Sequence, residues 1–205
     1  MKDNNNNSKQ VLLSVLGVAI LVVAVVGVSF AAFTYSKTGE KLNTITTGTI
    51  TMSYNETTNG INLTDALPTT DEVGMAMADE NQYFDFTVSA TITGTTTINY
   101  AISATKEEST IPDNGVKVYL TDMDNSDNPV DDYATPKKIS ELTTATDSED
   151  SGTPEGQYIL HTGTYSATDT EHYRLRMWVA DDYAAPSTTQ TYKLRVNVYG
   201  KANAQ

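Results

Sequence analysis

Seven times after residue 49 the chain alternates apolar with polar residues at a period of two, and apolar residues at helical spacing are nearly absent there. Alternation of this kind puts one set of side chains on each face of a half-buried strand. The runs are Ile50, Met52 and Tyr54; Phe84, Phe86, Val88, Ala90 and Ile92; Ile98, Tyr100, Ile102 and Ala104; Val116, Val118 and Leu120; then Ile159 to Tyr165, Tyr173 to Val179 and Tyr192 to Val198. Between the second and third runs the short turn at Gly94 predicts a hairpin.

The last two runs have faces of different chemistry. Tyr173, Leu175, Met177 and Val179 oppose Arg174 and Arg176, while Tyr192, Leu194, Val196 and Val198 oppose Lys193, Arg195 and Asn197. One apolar and one wet face argue for antiparallel sheets. Several such sheets in 205 residues pack most economically as a two-layer antiparallel β-sandwich of jelly-roll type, an all-β fold preceded by an N-terminal hydrophobic helix. The polar spans Asn55 to Gln82 and Asp122 to Gln157 become excursions outside the sandwich. Within them Asp71 to Ala78 and Lys137 to Thr144 are expected to form short helices.

Compartment follows from the segment in front of the strands. From Val11 to Phe33 no residue carries a charge. About 20 apolar residues suffice to cross a hydrocarbon core of about 30 Å, and a signal-peptide apolar region is shorter, about 7 to 15 residues. Length therefore favours a retained anchor. Small residues at Ser29 and Ala31 favour cleavage before Ala32 by a signal peptidase, so both forms stay open. Lys2 and Lys9 keep the first ten residues, with the asparagine run Asn4 to Asn7, on the cytoplasmic side and send the remainder outward. The expected organisation is a cytoplasmic tip (1–10), a signal peptide or membrane anchor (11–33), a linker or donor strand (34–43), a β-sandwich domain (44–201) and a tail (202–205), located outside the cell or at its surface.

The first ten residues carry a net charge of +1, so of the formal −13 the exported part holds −14 and repels nucleic acid and anionic membrane. No cysteine is present, so neither a disulfide nor thiol chemistry is available. The two histidines, His161 and His172, lack the His-Glu-x-x-His context of a zinc hydrolase, although they could meet across a hairpin. Asp122, Asp124 and Asp127 alternate as the oxygen ligands of a calcium loop do. Asp127 and Tyr133 stand where an EF-hand has its glycine and its last glutamate, so the expectation is a solvated turn and no cofactor.

Phe30-Ala31-Ala32-Phe33, a short polar stretch and Thr47-Gly48-Thr49-Ile50-Thr51-Met52 resemble the start of the TasA and camelysin family of exported bacterial biofilm-matrix and surface proteins. In pattern the likeness continues through Ile61-Asn62-Leu63, Leu67-Pro68, the strand Tyr83 to Val88 and the closing pair of strands. The resemblance implies a jelly-roll domain, secretion through a dedicated signal peptidase, and homopolymeric fibres built by donor-strand complementation. The donor would be Ala32 to Asn43, with Phe33, Tyr35 and Leu42 as anchors. Gly39 and the polar span Ser36 to Lys41 weaken it as a long strand, and a juxtamembrane linker is the plainer reading. Three functions follow: a non-enzymatic fibre or matrix protein, a membrane-anchored monomeric surface or adhesin-like sandwich, and, distantly, a camelysin-like metalloprotease.

Overall fold

The computed structural model describes residues 34–38, 43–47, 50–58, 60–61, 66–147, 149–184 and 189–203. The described residues build eleven strands: β1 (Thr34–Thr38), β2 (Asn43–Thr47), β3 (Ile50–Glu56), β4 (Tyr83–Ile92), β5 (Thr97–Lys106), β6 (Val116–Asp122), β7 (Asn128–Pro129), β8 (Lys137–Lys138), β9 (Tyr158–Tyr165), β10 (Asp169–Val179) and β11 (Leu194–Asn203). Among the described residues a single short α-helix, α1 (Asp71–Met75), begins with Asp71 and Glu72, whose charges suit a helix N-terminus.

Two sheets result. The smaller runs β1-β11-β5-β9; the larger runs β2-β3-β4-β10-β6-β7, with β8 also on β6. Every strand pair in them is antiparallel. Their inner faces meet as a sandwich. Met52, Tyr54, Phe86, Val88 and Leu120 from the larger sheet, and Ile98, Ile102, Leu160 and Val198 from the smaller, are fully or almost fully buried. Phe86 stacks on its register partner Tyr173 at 5.6 Å, and Tyr54 meets the same ring edge-on at 5.7 Å. Gly200 of β11 lies directly over Met52 of β3, where any side chain at 200 would collide with the thioether. Thus β11 stacks on β3.

Two expectations of local structure are corrected. β4 and β5 do not form a hairpin: β4 pairs with β3 and β10, β5 with β11 and β9, and residues 93–96 cross from one sheet to the other. The 137–144 segment is not an α-helix, because Lys137 and Lys138 pair with β6 and only a 3-10 turn, Ile139–Glu141, follows. The second helix expectation holds in shortened form as α1.

The faces expected to be wet are partly covered. On β10, Arg176 is 3% exposed and Trp178 is 2% exposed, whereas Met177 on the inner side is only half-buried. The 57–82 excursion lies over them: Trp178 packs on Gly74 of α1, and Arg176 Nε donates to the Met77 carbonyl at 2.8 Å. On β11, Asn197 is fully buried beneath Gln157, whose Oε1 accepts from Asn197 at 3.2 Å and from Ser103 at 2.6 Å, while its amide donates to Tyr199 at 2.8 Å. β11 also continues through Ala202 and Asn203, two residues past the expected domain boundary.

Candidate functional site

The segment that follows the apolar block forms an outer strand. β1 pairs with β11 alone, placing Tyr35 opposite Gly200 and Lys37 opposite Val198. β2 takes the equivalent outer place in the other sheet, with Ile45 opposite Met52 and Asn43 opposite Tyr54. Ser29, Ala31, Ala32, Phe33 and Leu42 lie outside the described residues, as does the whole apolar block. Among the described residues no helix is long and apolar enough to cross a membrane.

The acidic turn after β6 folds its carboxylates onto the protein. Asp122 Oδ1 accepts from the backbone N–H of Asp124 at 2.8 Å and of Asn125 at 3.3 Å, an Asx turn. Asp124 accepts from the His172 backbone N–H at 2.9 Å, and its carboxylate lies 3.0 Å from His172 Nδ1. Asp127 receives both Arg176 terminal nitrogens, at 3.1 and 2.6 Å, and the Thr121 hydroxyl. Partial burial would raise the Asp127 carboxyl, but the Arg176 and Thr121 donors outweigh it and hold it below the ordinary range. Ser126 and Asp127 both have φ of 59°, the left-handed conformation that lets the turn reverse tightly enough to reach Arg176. Three separate partners thus spread the three aspartates apart. Among the described residues no three His, Asp or Glu side chains are grouped to hold a metal ion.

The two histidines do not come together. His172 is half-exposed, on the outer face of β10 beside Asp124. His161, on the inner side of β9, packs against Tyr100 and Tyr173 with ring centroids 6.1 and 5.9 Å away. Burial holds its imidazole below the ordinary value. Its Nδ1 is buried without a hydrogen-bond partner.

Next to His161 lies a cluster that sequence reasoning missed. A single carboxylate oxygen, Glu171 Oε2, accepts from Tyr100 and Tyr165 at 2.6 Å each and from Tyr173 at 2.7 Å. The Tyr100 and Tyr173 hydroxyls are themselves 2.7 Å apart, so their protons are divided between that contact and the carboxylate. Tyr100 and Tyr165 stack at 4.7 Å, and Tyr100 lies over Gly163, where a side chain would occupy the ring's position. Burial above all pushes the three phenols up, which keeps them protonated as donors. Two of the tyrosines belong to the smaller sheet and Glu171 to the larger, so the cluster clasps the layers together. In sequence the only signal is three tyrosines at inward positions of three strands; their meeting depends on the sheet order.

Outside this clasp a polar groove of about 480 Å³ lies between Asn99, Thr162 and Thr164 on the sheet and Glu149 to Ser151 on the covering loop. Its lining offers hydroxyl, amide and carboxylate groups. The chain matches no family model, no curated protein and no solved structure.

Proposed function

We propose that this chain is a non-enzymatic extracellular structural protein that forms, or contributes to, biofilm-matrix fibres by donor-strand complementation. The observation that carries this reading is the position of β1. It directly follows the uncharged block Val11 to Phe33, and among the described residues it pairs with β11 alone, at the margin of its sheet. An outer strand contributes mainly main-chain hydrogen bonds, and an identical strand from another copy supplies the same bonds. A subunit whose β1 is withdrawn presents β11 as an unpaired edge, and the withdrawn β1 is free to fill the edge of the next subunit. In this reading Phe33, Tyr35 and Leu42 are the anchors, the sandwich has jelly-roll topology, and a signal peptidase frees the donor by cutting between Ala31 and Ala32. Calcium has no assigned part.

The length of the uncharged block favours a second reading, a monomeric surface or adhesin-like sandwich held by an uncleaved N-terminal helix. N-terminal sequencing of protein taken from the cell surface separates the two: Ala32 as the first residue supports fibres, and an intact Met1 supports the anchor. A chain lacking residues 1–43 supplies the functional test. It stays monomeric if strand donation builds the fibre; unchanged polymerisation removes that mechanism.

A further inference from the structure

We infer that the exchanged element is a two-strand clip, β1 together with β2, and that a second copy of this chain supplies both strands to the same rim. This deepens the fibre reading and rests on it.

β1 and β2 are consecutive in the chain, yet they belong to different sheets. Each is the outermost strand of its sheet, β1 on β11 and β2 on β3. The two strands they cover are stacked on each other, as the approach of Gly200 to Met52 shows. One continuous stretch of chain therefore closes both layers along one side of the sandwich. Residues 39–42 between them lie outside the described residues.

Registry brings both strands to the same layer. Tyr35 takes the place opposite Gly200, and Ile45 the place opposite Met52. Met52 and Gly200 are in contact across the sandwich, so the register positions of Tyr35 and Ile45 fall at one level of the two sheets. Behind that level Met52, Tyr54 and Val198 are completely buried while standing only one strand from the margin. If β1 alone departed, β11 would lose its partner while β3 directly beneath it kept its own, leaving a step in the rim. Departure of both strands leaves a flush open side whose two edges, 197–201 and 50–54, match the two strands of an identical incoming clip. Ile45 is on this account an anchor equal to Tyr35.

The absence of native cysteine makes disulfide mapping clean. Mature chains beginning at Ala32 and carrying Thr34→Cys or Thr44→Cys are mixed with mature chains carrying Lys201→Cys or Ser53→Cys, allowed to assemble, oxidised and run on non-reducing gels. Thr34 faces Lys201 and Thr44 faces Ser53 in register. The clip predicts disulfide-linked dimers from both pairings. Dimers from Thr34 with Lys201 but none from Thr44 with Ser53 overturn the clip and leave single-strand donation standing. No dimers from either pairing, with disulfides only in control chains carrying both cysteines of a pair, overturn the clip and the fibre reading together. A separate comparison of Tyr35→Asp with Ile45→Asp is expected to show loss of polymer in both. Retained polymer in Ile45→Asp alone counts against the clip.

Discussion

The two sides of the sandwich are closed by different means. Where β11 stacks on β3, closure comes from two five-residue strands, β1 and β2, each attached through a backbone ladder to one neighbour. Where β9 and β10 meet, closure comes from side chains, one carboxylate shared by three phenols. On the outer face of β10, away from that seam, a buried guanidinium held by Asp127 and the Met77 carbonyl fixes the covering segment. A backbone ladder can be re-formed with any copy of the same strand. A clasp of Glu171, Tyr100, Tyr165 and Tyr173 requires four particular side chains drawn from three strands. On the proposed reading the first side is replaceable and the second permanent.

Substitutions in the two side-chain locks, at Arg176 and at the Glu171 clasp, should cost most. Arg176→Ala strands the Asp127 carboxylate and opens the cover over β10; loss of one partner of a buried ion pair costs about 3 to 5 kcal/mol, and the partial exposure of Asp127 places this change at about 3 kcal/mol in urea unfolding. A loss below about 1 kcal/mol would mean that the cover is not locked. Glu171→Ala removes the acceptor of three phenols and is expected to cost about 2 to 3 kcal/mol, with Glu171→Gln costing less because an amide oxygen still accepts. If deletion of residues 34–47 abolished the near-ultraviolet signal of Trp178 while Glu171→Ala left it intact, the contrast between the two sides would be reversed.

On the replaceable side, coupling rather than loss is the informative quantity. Gly200→Ala forces Met52 aside, an overpacking worth about 1 to 3 kcal/mol, and Met52→Ala relieves that collision while opening a cavity of its own. The double variant should be more stable than the sum of the two losses by at least about 0.5 kcal/mol. Strict additivity would show that β11 does not rest on β3.

The smallest effect is the acid dependence of the clasp. His161 is held below its ordinary value of 6.5 by burial, against the opposing pull of the carboxylates of Glu171, Asp132, Asp131 and Asp122. The unfolded chain therefore takes up a proton at pH values where the folded chain does not. Stability is complete above pH 6.5 and falls as pH drops from there toward the lower folded-state pKa. His161→Leu should flatten stability between pH 7 and 5, measured by urea midpoints. The separate loss near and below about pH 4, where Asp113, Asp124 and Asp127 gain protons, should remain in that variant. An unchanged profile in His161→Leu would show that the imidazole does not set the first phase.

Period-two alternation made β3 to β6 and β9 to β11 legible, because each buries one face regardless of its neighbours. Their partners were not legible, since alternation at Phe84 to Ile92 and Ile98 to Ala104 is the same whether the Gly94 turn folds back or crosses between layers. Burial of Arg176 and Asn197 was equally hidden. A polar residue on the outer face is wet only until an excursion such as 57–82 or 144–157 lies on it, and the sequence of the excursion does not state which strand it will cover. Behind the apolar block the sequence leaves a linker and a donor strand open, and Asn43-Thr-Ile-Thr-Thr, with one large apolar residue, carries too little alternation to mark β2. Asp122, Asp124 and Asp127 showed the spacing of a ligand loop, whereas their partners, the Asx turn, His172 and Arg176, come from 48 to 49 residues away or from the local backbone.

The first described strand rests on the last. β11 lies between β1 and β5, so the smaller sheet has no interior until residues 194–203 have been synthesised. Until residues 194–203 follow, a growing chain carries β1 with no cradle of its own to receive it. Ordering of β1 thereby waits on a strand about 160 residues further along the chain.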